Sequence, residues 1–137
     1  MKWENTLMIY GEEVKNRTFW DWLKAHTSFM KPLHNYKGSL KLNEKELNFK
    51  SSDDKHKLQI SLGDITEVTL GFDDLFTVWE ERAAPWNKPL KISYIDNGQE
   101  KTIYLFARFH HKYGMRTSDN GEVKDKIKTL IKEDEKE

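Results

Sequence analysis

From residue 37 onward, apolar and polar residues alternate. In KGSLKL (37–42), Leu40 and Leu42 take one side while Ser39 and Lys41 take the other. ELNFKS (46–51) repeats the pattern with Leu47 and Phe49, and KLQISL (57–62) with Leu58, Ile60 and Leu62. A period of two puts alternate side chains on opposite faces of an extended chain, so each segment predicts a half-buried antiparallel strand. The connections NEKE (43–46) and SSDDKHK (51–57) are polar and short enough for hairpins. After Gly63-Asp64 the strand pattern resumes in ITEVTLGF, then in LKISYI (90–95) and KTIYLF (101–106). Asn97-Gly98 joins the last two and predicts a tight hairpin, because both residues tolerate positive φ.

The ends of the chain read differently. TLMIY (6–10) suits a strand. RTFWDWLKAHTSFM (17–30) suits a helix, with Thr18 as N-cap and Phe19, Trp22, Leu23, His26 and Met30 at three- and four-residue spacing. Pro32 ends it. Trp20 and Trp22 would diverge by roughly 200° on such a helix, so only one of them faces the core. Near the C-terminus, Val123, Ile127, Leu130 and Ile131 form one apolar stripe, with Ser118, Asp119 and Asn120 as N-cap candidates. That amphipathic helix is expected to cover an open end of the sheet. The pattern divides the chain into an N-terminal extension with a helix (1–36) and a strand-rich domain (37–137).

Meander, long interruption, hairpin and terminal helix together resemble the pleckstrin-homology-like superfold. Three motifs resemble its GRAM and bacterial PH-like branch: Gly38-Ser39-Leu40, Leu47-Asn48-Phe49 and Asp64-Ile65-Thr66-Glu67-Val68. The likeness covers roughly residues 37–131. It implies a mainly β (α+β) fold, a curved antiparallel sheet or partly open barrel of about seven strands with a C-terminal capping helix. The segment DDLFTVWEERAAPWNKP (73–89) is long for a connection in such a domain, and FTVWE within it would supply the seventh strand. Leu40, Leu42, Phe49, Ile60, Ile65, Val68, Ile92, Tyr94, Ile127 and Leu130 are the expected core.

Composition narrows the function. The 137 residues suit one domain. Five Trp, five Tyr and seven Phe offset a modest apolar content of 36%. Lys plus Arg and Asp plus Glu are equal at 23 each, so no net field favours nucleic acid or an anionic membrane. RFHHKYGMR (108–116) mixes basic and aromatic residues, yet reads as a last strand and a loop; nucleic acid is not an expected partner. With no Cys, thiolate catalysis and Cys-ligated zinc drop out. The sequence shows no secretory h-region and no apolar run of the ~20 residues a span needs, so the expectation is a cytoplasmic protein.

Catalytic signatures are sparse. There is no HExxH, no phosphate-binding glycine loop and no nucleophile elbow. His110 and His111 are adjacent and would point to opposite faces of a strand. Asp53-Asp54 and Asp73-Asp74 fit solvated turns better than an acid–base pair. No metal, cofactor or catalytic residue is expected. A small metal-dependent hydrolase using His110 or His111 is the remaining enzymatic reading, and it requires a histidine beside carboxylates in a cleft.

Binding is therefore the expected function, through a protein partner or a second copy of the chain. The aromatic loop supplies the candidate contacts Phe76, Trp79, Arg82 and Trp86, since Trp and Arg anchor interfaces. A partner segment would dock beside an exposed sheet edge or at that loop. The alternative is an anionic membrane surface, met by Lys37, Lys41 and Lys50. The usual phosphoinositide loop of PH domains corresponds here to Asn43-Glu44-Lys45-Glu46, where two glutamates outweigh one lysine.

Overall fold

The computed structural model describes residues 1–16, 34–76, 87–112 and 115–135. Its strands are β1 (Lys2–Tyr10), β2 (Tyr36–Leu42), β3 (Glu46–Ser51), β4 (Lys57–Ser61), β5 (Ile65–Leu70), β6 (Leu90–Asp96) and β7 (Gln99–Phe106). They form one antiparallel sheet in the order β4-β3-β2-β1-β7-β6-β5. A short helix, α1 (Gly11–Lys15), follows β1, and a 3-10 turn (Leu62–Asp64) separates β4 from β5. A separate hairpin, β8 (His110–Lys112) and β9 (Met115–Thr117), precedes the terminal helix α2 (Asn120–Glu135). The mainly β fold, a seven-stranded antiparallel sheet with a C-terminal helix, agrees with the expected fold class.

One boundary needs correcting. Residues 1–10 do not extend from the domain: β1 is the central strand, paired with β2 on one side and β7 on the other. It joins the β2–β4 meander to the β5–β7 meander and is the seventh strand. Residues 77–80 of FTVWE lie outside the described residues, as does the helix expected over 17–30.

The sheet curls. Laid flat, β4 and β6 would stand five strand spacings apart, about 24 Å. Instead, Leu58–Ser61 of β4 and Tyr94–Asp96 of β6 line opposite walls of one slot. Curling encloses a core drawn from all seven strands, including Met8, Leu40, Phe49, Ile60, Val68, Ile92 and Leu105. Helix α2 adds Val123 and Ile127, with Leu130 and Ile131 half-buried beside them, and lies over β5, β6 and the 3-10 turn. The buried Trp3 donates from Nε1 to Glu122 Oε1 (3.3 Å), tying the central strand to the same helix. Of the ten expected core residues, eight are buried, and Ile65 and Leu130 are half-buried against the cluster.

A second cluster covers the other face of β1 and β7. It holds Leu7, Ile9, Val14, Phe76, Tyr104, Phe106 and Phe109. This explains why LMIY and IYLF are continuous apolar runs rather than alternating ones: both faces of these two strands are buried. The β6–β7 hairpin turns through Asn97 (φ 52°) and Gly98 (φ 78°), as the Asn-Gly pair predicted.

Candidate functional site

An open sheet has two edge strands, here β4 and β5. Helix α2 packs against β5. Among the described elements, β4 pairs only with β3. The hydrogen bonds from Ser51 N–H to the His56 carbonyl and from Leu62 N–H to the Lys45 carbonyl (both 2.9 Å) fix the phase of that ladder. In an antiparallel pair, main-chain groups alternate between facing the neighbour and facing away. His56, Leu58, Ile60 and Leu62 therefore bond toward β3. Lys57 and Gln59 aim their N–H and C=O groups outward, and Ser61 aims its N–H outward while its C=O accepts the first bond of the 3-10 turn; all three residues are exposed. Among the described residues this edge is unpaired, and it is of the kind that accepts another strand. Beside it runs a slot of 240 Å³, lined by half-buried Leu58 and by Ile95, itself 37% exposed.

The edge is held at its start by a stiff turn. Asp53 Oδ1 accepts from Ser51 Oγ (2.6 Å) and Lys55 N–H (3.0 Å), and Ser51 Oγ accepts from His56 N–H (2.9 Å). The Ser51 hydroxyl, then the Lys55 N–H, hold the Asp53 carboxyl below its ordinary value. Asp54 takes a left-handed φ of 62° within this turn. His56 stacks on Tyr36 at 4.1 Å and shares a 2.6 Å hydrogen bond with the Tyr10 hydroxyl. Tyr36 donates to Glu13 Oε2 (3.1 Å), whose Oε1 accepts the Tyr10 N–H (3.0 Å). Thus the start of β4 is tied to the end of β1 and to α1. Burial, then the neighbouring Tyr94, Tyr36 and Glu13, push the Tyr10 hydroxyl well above its ordinary value, so it stays protonated.

The expected lysines do converge. Lys37 and Lys41 of β2 and Lys50 of β3 share the outer face of the sheet. The register adds two that the sequence reading missed: Lys2 opposite Lys41, and Lys57 opposite Lys50. Lys2 is paired with Glu4 (2.7 Å) and Lys50 with Asp54 (2.9 Å). Lys57 was visible as the polar member of an alternating strand. Lys2 precedes TLMIY (6–10), the segment whose composition marks the strand, and the bulge between Trp3 and Thr6 breaks any alternation that would reach it. The Asn43–Glu46 connection is an Asx turn, with Asn43 Oδ1 accepting from the N–H groups of Lys45 (2.8 Å) and Glu46 (2.9 Å).

The aromatic loop is partly inside. Phe76 is fully buried and stacks on Tyr104 (5.2 Å) and against Phe106 (5.7 Å), so it is a core residue and not a surface anchor. Trp79, Arg82 and Trp86 lie outside the described residues. Asp73 pins the start of this loop. Its Oδ1 accepts from the N–H groups of Leu75 (2.9 Å) and Phe76 (2.7 Å), and its Oδ2 from the Tyr104 hydroxyl (2.7 Å), with Lys91 Nζ at 3.4 Å. Burial pushes the Asp73 carboxyl up, but the Tyr104 hydroxyl, the two N–H groups and Lys91 outweigh it and hold it below the ordinary 3.8. A lowered folded-state value stabilises above the ordinary carboxyl range and is lost as pH falls through it. Asp73→Asn should therefore lower the melting temperature at neutral pH, with the gap to wild type narrowing as the pH falls below the ordinary carboxyl range toward the lowered folded-state value. A gap that stays constant across that range would contradict this role.

His110 is half-buried, and its Nδ1 lies 2.6 Å from the Arg108 carbonyl. Among the described residues, no three His, Asp or Glu side chains converge to hold a metal ion. No described helix is long and apolar enough to cross a membrane. In comparisons with known proteins, the chain matches no family model and no curated protein.

Proposed function

We propose that this chain is a non-enzymatic binding module of the pleckstrin-homology-like, GRAM-type kind, working in the cytoplasm, that docks an extended protein segment along β4. One observation carries the reading: the outward main-chain groups of Lys57, Gln59 and Ser61 on an exposed edge. Main-chain bonds to such an edge supply affinity, and the adjoining slot, with Leu58 and Ile95, supplies a place for an apolar side chain. Two meanders followed by a capping helix support the family reading. The test is Gln59→Pro. Proline removes an N–H that the β3–β4 ladder does not use, so the fold should survive at a cost of about 1 kcal/mol. A photoreactive residue at Ser61 should capture a partner in the wild type and lose at least tenfold of that capture in Gln59→Pro. Equal capture would contradict edge docking.

The lysine face favours a second reading, docking on an anionic membrane. Lys2, Lys37, Lys41, Lys50 and Lys57 lie on one surface despite zero net charge. Each lysine near an anionic leaflet contributes on the order of 1 kcal/mol, screened by salt. Vesicles with phosphatidylserine should retain the chain at low salt and release it at physiological salt. Lys41→Glu with Lys50→Glu should abolish retention. Indifference to vesicle charge would end this reading.

A further inference from the structure

We infer that the segment β4 receives is β4 of a second copy of the chain, antiparallel and centred on Gln59. This rests on the edge reading above and names its partner. In an antiparallel pair related by a two-fold axis, facing residue numbers sum to a constant. Only residues with outward groups can bond across, so Lys57, Gln59 and Ser61 must face one another. The register centred on Gln59 is the one that uses all three. Lys57 then faces the partner's Ser61, Gln59 faces the partner's Gln59, and Leu58 faces the partner's Ile60. Of the six main-chain bonds that three such pairs make, four join groups with no other use, because the Ser61 carbonyl of each copy already accepts within the 3-10 turn.

Each row of side chains suits itself in this register. On the inner face, half-buried Leu58 takes the position opposite the partner's Ile60, which is buried in its own core, so the row is apolar throughout. On the outer face, the amides of Asn48 and Gln59 continue into the partner's Gln59 and Asn48. The next row reads Lys50, Lys57, the partner's Ser61, the partner's Glu46, because Glu46 is the register partner of Ser61 within each copy. Two strand spacings separate Lys57 from the partner's Glu46, about 10 Å. An extended Lys and Glu span that distance over a small serine. Symmetry repeats the pair, so both ends of the contact carry opposite charges. Zero net charge leaves no overall repulsion between copies. A foreign segment has no reason to match these rows; a second copy matches them by construction.

The contact is short, below the standard size of a stable interface, so dissociation on the order of 100 µM is expected. Sedimentation from about 10 µM to 1 mM tests it. Wild type should pass from monomer to dimer over that range, and Gln59→Pro should remain monomeric. Glu46→Lys and Lys57→Glu should each weaken the dimer about tenfold, because each places like charges across the axis. The double variant, which exchanges the two charges, should return to within about threefold of wild type. A wild type that stays monomeric at 1 mM, a dimer unaffected by Gln59→Pro, or a double variant no better than the singles would overturn the inference. Amide exchange separates the two layers of the argument. If the chain is monomeric and the N–H groups of Lys57, Gln59 and Ser61 exchange fast, the self-pairing fails while the edge reading stands. If those groups are protected in the monomer, both fail.

Discussion

Gly38→Ala is expected to cost about 3 kcal/mol of stability, enough to lower the melting temperature by roughly 10 °C. Gly38 sits in β2 opposite Ser51 of β3. A Cβ at this position would lie 1.9 Å from the Lys50 carbonyl oxygen and 2.7 Å from the Ser51 Cα. Both are backbone atoms, so relief requires moving β3 itself. That movement would also disturb the Ser51–His56 turn on which the position of β4 depends. Gly63→Ala is the control. No atom lies within 4 Å of its built Cβ and its φ is not positive, so the change should be neutral or mildly stabilising. Urea unfolding of both variants decides the matter, and a loss under 0.5 kcal/mol for Gly38→Ala would refute the close approach.

Asn120→Ala should be of similar size or larger, about 3–5 kcal/mol. Asn120 is buried at the first residue of α2. Its Oδ1 accepts the Ala107 N–H (2.7 Å), and its Nδ2 donates to the carbonyls of Lys88 (2.8 Å) and Leu105 (2.9 Å). One amide thus joins the end of β7, the approach to β6 and the start of the capping helix. Alanine leaves three main-chain groups without this partner, each worth about 1–3 kcal/mol when buried and unsatisfied. Asn120→Asp keeps the acceptor and loses both donors, so it should rescue little. Thermal melts that place Asn120→Asp close to wild type would contradict the two-carbonyl bridge.

Most of the sheet was legible because its outer strands are buried on one face only. Alternation then marks both the strand and its orientation, as in KGSLKL, ELNFKS and KLQIS, whose observed bounds fall within a residue of those read from the pattern. The central strands were harder. LMIY in β1 is buried on both faces, so alternation vanishes, and a bulge between Trp3 and Thr6, with Asn5 at φ 51°, interrupts the first half. That is why the beginning of the chain looked like an appendage. The terminal helix was clear from its stripe, but Asn120 passed as one of three cap candidates. Nothing in a sequence distinguishes a buried bridging amide from an exposed one.

The candidate site was legible in a different proportion. Lys37, Lys41 and Lys50 came together because each is a polar member of an alternating strand, and polar members of paired strands share the outer face. The free edge could not be read, since which strand ends a sheet depends on long-range order, here on β1 inserting between β2 and β7. Phe76 was misjudged as a contact, because a loop position says little about whether an aromatic turns inward. Its burial follows from Asp73, whose carboxylate gathers the loop N–H groups and the Tyr104 hydroxyl and folds the segment onto β7.

Residue-resolved amide hydrogen exchange along β4, in dilute solution, tests the central claim most directly. The account predicts an alternation: slow exchange at Leu58, Ile60 and Leu62, whose N–H groups bond toward β3, and fast exchange at Lys57, Gln59 and Ser61, whose N–H groups face outward. Uniform protection of all six would mean that the edge is already covered within a single chain, and would contradict a docking edge.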